Sequence, residues 1–264
     1  AILITAEMSK TLQDEIVDDQ RFRFNRLIMV SDLDWVGNVG VFSHDLEGFL
    51  GLEVRQNLLN HSQQFLKRVL DLLAVAIGAV FVAPLFLLIA LLIRLDTPGG
   101  IFFFQDRVGR YGKQFRMWKF RTMVENADEI LQPFLESSPE FSVEWEATQK
   151  LKDDPRITRV GKWLRKLSLD ELPQLINILK GEMSLVGPRP FFISQKEMYG
   201  KNYSLYKHVR PGLTGMWQVS GRNNTTFPER AHWDGYYVRN WSIWLDVYIL
   251  VRTVWVVLSG EGAY

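Results

Sequence analysis

The run LLAVAIGAVFVAPLFLLIALLI, residues 72–93, extends for 22 positions without a charged side chain. About 20 apolar residues in a helix are enough to cross the hydrocarbon of a bilayer, so this run predicts a membrane helix. Basic residues flank both of its ends, so the positive-inside rule selects no direction and both ends read as cytoplasmic. Pro84 lies near the middle and favours a bend. We predict a re-entrant helix at about residues 66–94, with a straight, kinked span as the alternative.

The C-terminal stretch WSIWLDVYILVRTVWVVL, residues 241–258, is a second apolar segment, interrupted by Asp246 and Arg252. This pattern predicts an amphipathic helix that lies in the membrane interface. Tryptophan side chains favour the headgroup level, which is the position expected for Trp241, Trp244 and Trp255. The alternative is a hydrophobic helix packed inside a soluble core.

The amino-acid composition limits the class of protein and the kinds of metal site and partner that are possible. With 264 residues and 47% hydrophobic content, the chain can bury a sizeable core. It has no cysteine and only four scattered histidines, which excludes disulfides and thiolate metal sites and favours an oxygen-ligated metal. Residues 107–121 contain six basic and no acidic side chains, a run that suits an anionic leaflet. Nucleic acid would also suit such a run, but the adjoining membrane segment argues against it, and we expect no nucleic-acid partner.

Residues 1–64 differ from the remainder, with 10 acidic and 5 basic side chains against 20 and 26 in residues 65–264. Their pattern predicts a strand at AILIT (1–5), an amphipathic helix at 9–24 and two further strands at 25–32 and 39–46. This is a βαββ fragment without a G-x-G-x-x-G fingerprint. Because the chain opens inside a strand and without methionine, we expect an N-terminal portion to be absent from it.

The segment KLSLDELPQL, residues 166–175, contains the adjacent acids Asp170 and Glu171. Ser168 with Glu171 three positions later is a capping-box pattern, and Pro173 suits an opening turn. Acids in a first turn also complement the helix dipole. The ten residues therefore support either an ordinary helix start or an active site.

Basic side chains surround this segment in the sequence. Residues 102–123 predict a strand pair that turns at Tyr111 and Gly112. Arg189 lies between two prolines, which stiffen the backbone around a side chain suited to phosphate. Each basic residue alone could be a solvated surface group. The candidates for phosphate binding are Lys119, Arg165, Arg189 and Arg222.

Four blocks together resemble the bacterial sugar transferase family, the monotopic phosphoglycosyl transferases, over about residues 65–264. They are KFRTM (119–123), LRKLSLDELPQLINILKGEMSLVGPRP (164–190), RPGLTGMWQVSGR (210–222) and DVYILVRTVWVVLSGEGAY (246–264). The resemblance implies an α/β, mostly helical, membrane-associated transferase domain at 65–264 with a re-entrant helix and interfacial helices. Residues 1–64 would be the end of the Rossmann-like domain that long-form members carry upstream.

The resemblance also implies a reaction. Family members transfer a sugar 1-phosphate from a UDP-sugar to undecaprenyl phosphate at the cytoplasmic face of the inner membrane and release UMP; galactose is the sugar that we expect. Asp170 would be the nucleophile of a covalent phosphosugar intermediate and a ligand of Mg²⁺, Glu171 its partner, and Pro84 the residue that breaks the re-entrant helix. The implied partners are the UDP-sugar, undecaprenyl phosphate, membrane lipids and a second copy of the chain in a homodimer. The lipid-linked product would begin O-antigen or exopolysaccharide assembly.

Two other interpretations remain open at the level of sequence. One is a membrane-associated scaffold or regulatory protein whose basic face binds anionic lipid. The other is a protein with a true membrane span and an unrelated soluble enzyme domain, in which residues 1–64 and 95–264 lie on opposite sides. The roles of Asp234 and Asp246 are also open, between a place in the site and a structural pairing with arginine.

Overall fold

The computed structural model describes residues 2–5, 27–30, 41–46, 49–54, 58, 60–137, 141–142, 145, 151, 154–221 and 225–259. The chain divides into two compact units, Ala1–Val54 and Arg55–Tyr264.

The first unit contains two strand pairs. Strands β1 (Ile2–Thr5) and β2 (Leu27–Val30) are parallel. Strands β3 (Val41–Leu46) and β4 (Phe49–Val54) are antiparallel. The three predicted strands are therefore confirmed, and β4 is a fourth that the sequence pattern did not identify. The predicted helix at 9–24 lies outside the described residues.

The second unit is mainly helical. Its strands are β5 (Phe102–Val108), β6 (Gln114–Phe120), β7 (Ser184–Val186) and β8 (Gly212–Thr214). Its described helices are α1 (His61–Asp96), α2 (Ala127–Glu136), α3 (Arg159–Lys166), α4 (Gln174–Lys180), α5 (Tyr203–Tyr206), α6 (Met216–Ser220), α7 (Phe227–Asn240) and α8 (Ile243–Ser259). Strands β7 and β8 pair in parallel.

Helix α1 contains the apolar run and is long and apolar enough to cross a membrane, by length and composition. It begins after Asn60, whose side chain accepts a hydrogen bond from the backbone N–H of Ser62 at 3.0 Å. The helix continues through Pro84 as one element of 36 residues. Its middle is strongly exposed, with Val80 and Phe81 72% and 76% accessible. A bend at Pro84 stays a prediction.

Both halves of α1 pack against the same hairpin, β5–β6. Val75, in the first half, lies in a buried cluster with Phe115 and Met117 of β6. Ile89, in the second half, lies in another cluster with Phe120 of the same strand. The predicted strand pair is thus confirmed. Its turn includes Tyr111, whose φ of 61° is in the left-handed region.

Polar contacts also tie both ends of α1 to the second unit. Near the start, Lys67 Nζ lies 2.5 Å from Asp246 Oδ2 of α8, and Asp71 Oδ2 accepts a hydrogen bond of 2.6 Å from Ser184 Oγ of β7. At the end, Asp96 Oδ2 accepts the backbone N–H of Val160 in α3 at 3.0 Å. The two ends are therefore held by one folded body.

Helix α8 confirms the predicted C-terminal helix, but one prediction for its tryptophans is wrong. Trp241 precedes the helix and is only 2% exposed, because it packs in a core cluster with Val186 and Ile249. Trp244 and Trp255 are 81% and 64% exposed. The tryptophans therefore divide between the protein interior and an open apolar surface.

Candidate active site

Strand β6 carries Lys119 to the acid pair. Its ammonium nitrogen lies 2.8 Å from Glu171 Oε1 and 3.5 Å from Asp170 Oδ2. The side chains of all three residues are less than one-fifth exposed. Ionised groups at such burial need partners, and one lysine here serves two adjacent carboxylates.

The acid pair lies on a single turn of 3₁₀ helix, Leu169–Glu171, between α3 and α4. Ser168 precedes this turn with a φ of 54°, a left-handed conformation that non-glycine residues rarely adopt. Within the described turn the Ser168 side chain makes no capping hydrogen bond, and the Glu171 carboxylate is directed to Lys119 and Arg189 instead. The capping-box interpretation is therefore wrong: Glu171 belongs to a charged cluster. The backbone strain at Ser168 lies directly beside that cluster, as is common at functional sites.

Arg189 approaches the pair from the rigid Pro-Arg-Pro segment after β7. Its Nη2 atom lies 3.0 Å from Glu171 Oε1, so this one oxygen is shared with Lys119. The segment is locked at its start by Gly187, where an added Cβ would stand 2.7 Å from the backbone oxygen of Arg210 and 2.8 Å from the backbone nitrogen of Gly212. Close backbone packing therefore fixes the base of the loop that presents Arg189.

Arg165 reaches the same region from α3. Its Nε donates a hydrogen bond of 2.9 Å to Thr122 Oγ1, which follows β6. Burial lowers the pKa of Arg165, and the Asp170 carboxylate acts in the opposite direction. The two residues interact electrostatically, although Arg165 forms no ion pair within 4.0 Å in the described part of the chain. A guanidinium that is held by Thr122 and forms no ion pair with Asp170 can bind a phosphate oxygen.

The two acids differ in their electrostatic environment. Burial raises the pKa of Asp170, and Lys119 only partly opposes this rise. Burial acts in the same direction on Glu171, but the charges of Arg189 and Lys119 outweigh it and hold its pKa well below the ordinary range. The Glu171 carboxylate in turn raises the pKa of Arg189. Glu171 is therefore ionised and paired with both Lys119 and Arg189, while Asp170 is less tightly paired.

A second layer of charged groups lies behind Arg189. Arg230 Nη2, from α7, donates a hydrogen bond of 2.6 Å to the backbone oxygen of Arg189. Asp234 lies one turn further along α7, 3.8 Å from Arg230 Nε, and accepts a hydrogen bond of 2.6 Å from Tyr199. Burial raises the pKa of Asp234 to about 6. Asp234 therefore supports the site from behind.

Asp246 contacts residues outside the cluster around Asp170 and Glu171. It pairs with Lys67 of α1 and accepts a hydrogen bond of 2.7 Å from the Tyr237 hydroxyl. Its observed role is structural, with a lysine rather than the arginine considered from the sequence. Arg222 lies outside the described residues, so its place in the site stays a prediction.

Sequence reasoning missed Arg107 and Arg230 as members of the site. The charges of Arg189 and Arg230 both act on Arg107, which comes from β5. Arg107 stood out in the sequence only as one of six residues of a basic run, and Arg230 falls in an unremarkable helix. No local signal distinguishes either from a surface arginine, because only the tertiary fold brings positions 107, 189 and 230 together.

The carboxylates of Asp170 and Glu171 are the described side chains of this turn that could bind Mg²⁺. Among the described residues there is no group of three or more histidine, aspartate or glutamate side chains that could hold a metal ion. Mg²⁺, however, is commonly held by one or two carboxylates, with water and substrate phosphate completing its coordination. Glu171 Oε1 is occupied by Lys119 and Arg189. Asp170 is therefore the carboxylate that fits this use.

Comparison with known proteins identifies the family that this chain resembles. The family model described as "Bacterial sugar transferase" matches residues 62–260. The chain is 46% identical over 227 residues to the UDP-galactose-lipid carrier transferase of Erwinia amylovora. The aligned region is 85% of this chain and 46% of that protein. The chain is 45% identical over 225 residues to the undecaprenyl-phosphate galactose phosphotransferase of Salmonella typhimurium, with 85% and 46% covered.

A shorter relative matches over nearly its whole length. The exopolysaccharide production protein ExoY of Sinorhizobium fredii is 47% identical over 198 residues, which are 75% of this chain and 88% of that protein. The chain spans about half the length of the two longer relatives. The matched region includes every described residue of the candidate site.

Proposed function

Because this chain belongs to the bacterial sugar transferase family, we propose that it transfers a sugar 1-phosphate from a UDP-sugar to undecaprenyl phosphate and releases UMP. Galactose 1-phosphate is the group proposed, since two relatives at 46% and 45% identity are named for galactose. The observation that carries the proposal is the partly buried cluster of Asp170, Glu171, Lys119 and Arg189, which combines a carboxylate nucleophile with cations suited to phosphate.

The proposed reaction has two displacements. An Asp170 carboxylate oxygen attacks the phosphorus that bears the sugar, and the bond from that phosphorus to the bridging oxygen breaks, so UMP leaves with the electron pair. An oxygen of the acceptor phosphate then attacks the same phosphorus and displaces Asp170. The lipid diphosphate-sugar forms and the free carboxylate returns. A covalent adduct divides one difficult transfer into two easier steps.

Lys119 has two functions in this scheme. Its charge counteracts the rise in the pKa of Asp170 that burial causes, and so favours the ionised nucleophile. It also reduces the repulsion between that carboxylate and an anionic donor. Arg165, fixed by Thr122, is proposed to hold oxygens of the transferred phosphate, and Arg222 is proposed to assist.

Glu171 is better suited to positioning than to proton transfer. An effective general base has a pKa near the working pH, whereas two cations hold the pKa of Glu171 far below it. Its carboxylate orients Lys119 and Arg189 around the reacting phosphorus. Such fixed charges lower the barrier because they need no reorganisation during the reaction.

Asp170 and the donor diphosphate are proposed to bind Mg²⁺ together. When bound, the metal would neutralise charge on the diphosphate and orient the leaving group. The remaining electrostatic work falls to the lysine and arginines described above.

We place the reaction at the cytoplasmic face of the inner membrane, with α1 as a re-entrant helix and Pro84 at its break. Support comes from the two ends of α1, which contact the same folded unit through Asp71 and Asp96. A helix that crossed the bilayer would separate its ends by about 30 Å of hydrocarbon. The exposed apolar middle of α1 and the exposed Trp244 and Trp255 would contact membrane lipids. A homodimer, and a Rossmann-like character for residues 1–64, are further parts of the proposal.

The test is UMP release in detergent with undecaprenyl phosphate and Mg²⁺, compared among UDP-galactose, UDP-glucose and UDP-N-acetylglucosamine. We expect turnover with UDP-galactose and its loss in Asp170→Asn. Asp106→Asn is the matched control, because Asp106 is an exposed carboxylate on β5 and should leave turnover unchanged. Folded protein that releases no UMP with any donor, but binds anionic vesicles, would favour the lipid-binding scaffold instead.

A further inference from the structure

The charges of the site do not balance. Five cationic side chains interact electrostatically with three carboxylates, an excess of two positive charges; the cations are Lys119, Arg107, Arg165, Arg189 and Arg230, and the anions are Asp170, Glu171 and Asp234. Asp154 and Arg156 also act on Arg165, but they form an ion pair of their own at 2.6 Å and leave this balance unchanged. Buried or partly buried cations are costly without counter-charge. The excess therefore indicates that the site receives an anion of about two charges.

Within the described residues, two of these cations have no carboxylate within 4.0 Å: Arg165, which is already proposed to hold the transferred phosphate, and Arg107. Asp170 and Glu171 are both close to Lys119, and Glu171 also pairs with Arg189. Within the described residues, by contrast, Arg107 has no carboxylate within 4.0 Å; its Nη2 donates to Gln105 Oε1 at 2.5 Å, and its Nε is buried without an acceptor. Glu171 is the carboxylate of the acid pair whose charge acts on Arg107, so we place this unpaired charge on the Glu171 side of the cluster.

Neighbouring cations make this position electrostatically unfavourable when no ligand is bound. Burial lowers the pKa of Arg107 to about 9, and the charges of Arg189 and Arg230 add to the effect. The guanidinium still remains protonated near neutral pH. It lies over the ring of Phe192, 3.4 Å from the ring centroid, which fixes its plane. An anion at this position would relieve repulsion between fixed groups.

Besides Arg165, which is proposed to hold the transferred phosphate, Arg107 and Arg189 are the described arginines of the site that can reach a ligand. Arg230 is committed to the backbone oxygens of Arg189 and Pro190, and it packs against aromatic rings that include Trp217. The Arg189 side chain is 31% exposed, and Arg107 is partly exposed. The segments that carry them are adjacent, because the backbone N–H of Val108 donates to the backbone oxygen of Phe191 at 2.9 Å, and the charge of Arg189 acts on Arg107. Two guanidinium groups on adjacent segments can bind the oxygens of one phosphate dianion.

We propose that Arg107 and Arg189 form a subsite for a phosphate monoester dianion, used once in each half of the reaction. The inference rests on the proposed function. In the first half, UMP leaves from the side of the phosphorus opposite Asp170, and its phosphate takes the bond's electron pair. In the second half, the acceptor phosphate attacks from that same side. In-line displacement therefore lets one pair of arginines hold the phosphate of UMP and then that of the lipid.

The test uses the full chain with Arg107→Gln and Arg107→Lys, and with Arg116→Gln as the matched control. Arg116 is exposed on β6 of the same hairpin and has a cation contact with Phe104, 5.6 Å from its ring centroid. One arm measures UMP binding by calorimetry, with uridine as the ligand that lacks phosphate. The other arm measures KM for a water-soluble, short-chain polyprenyl phosphate.

We expect Arg107→Gln to weaken UMP binding at least about 10-fold and to raise the acceptor KM by a similar factor. Uridine binding and the Arg116→Gln protein should be unchanged. Arg107→Lys should fall between wild type and Arg107→Gln, because lysine keeps the charge but not the planar fork. The melting temperature of each variant identifies a folding defect, and the lysine variant keeps the test valid if the glutamine variant unfolds.

A change in only one arm, or in neither, overturns the shared subsite. Loss of uridine binding together with UMP binding would also overturn it, because the effect would not depend on phosphate. These results differ from failure of the proposed function itself. In that case the wild-type protein would release no UMP from any donor, whatever residue occupies position 107.

Discussion

Replacement of Gly161 by alanine should damage the active site from outside it. Gly161 lies in α3, where an added Cβ would stand 2.2 Å from the backbone oxygen of Thr122. An ordinary contact begins at 3.4 Å, so α3 and the end of β6 would have to separate by about 1.2 Å. This movement would break the 2.9 Å hydrogen bond from Arg165 to Thr122 Oγ1 and displace Arg165 relative to Asp170.

The expected magnitudes follow from the packing. Overpacking of a core typically costs about 1–3 kcal/mol, whereas alanine in a helix gains at most about 1 kcal/mol over glycine. The net cost is therefore about 0–3 kcal/mol. For a unit of this size 1 kcal/mol corresponds to about 2–4 °C, so the melting temperature should fall by up to about 12 °C. A misplacement of about 1 Å in a catalytic arrangement can cost about 100-fold in rate. We therefore expect the activity loss to exceed what the loss of stability would suggest.

The assay combines thermal unfolding, followed by tryptophan fluorescence in detergent, with UMP release at a temperature well below the transition. Gly78→Ala is the matched control, because it is also a glycine-to-alanine change in a helix and an added Cβ there meets nothing within 4 Å. The control should retain full stability and activity. Gly161→Ala with wild-type stability and rate would refute the packing that we assign between α3 and β6.

Three further predictions concern the charges and the membrane helix. Glu171→Gln should reduce kcat by about 100-fold in steady-state assays, because Lys119 lies 2.8 Å from Glu171 Oε1 and would lose this ionic anchor; an unchanged kcat would exclude the positioning role. Burial raises the pKa of Asp170, and the charge of Lys119 opposes this rise. Lys119→Met should therefore move the acid limb of the profile of rate against pH to higher pH. An acid limb that stays in place or moves to lower pH would contradict this effect of Lys119. In this cysteine-free chain, Ser62→Cys and Gly100→Cys should react with an impermeant maleimide from the same side of the membrane, whereas labelling from opposite sides would establish a span.

The acid pair shows what the sequence can and cannot predict. Asp170 and Glu171 could be predicted from the sequence because they lie in one contiguous block that resembles a family. The same ten residues also formed a plausible capping box. Only the position of β6, which brings Lys119 to 2.8 Å from Glu171, excludes that alternative. The sequence alone therefore could not distinguish a capping box from an active site.

The positions of Trp241, Arg107 and Arg230 also depend on tertiary structure, which local sequence patterns do not show. Trp241 and Trp244 are three positions apart and were assigned to one membrane face, but Trp241 lies before the start of α8 and is buried against Val186. Burial depends on where the helix begins, and sequence patterns locate helix boundaries poorly. Arg107 and Arg230 are 123 positions apart, so no local pattern could predict that their charges would interact.

The most direct test of the central claim is the intact mass of the protein after mixing with UDP-galactose and Mg²⁺ without a lipid acceptor. We expect the mass to increase by one hexose phosphate, with one UMP released per chain. The increase should be absent in Asp170→Asn, present in Asp106→Asn and discharged by undecaprenyl phosphate. UMP release that begins only when the acceptor is added, with no mass increase at any time in quenched samples, would contradict Asp170 as a covalent nucleophile.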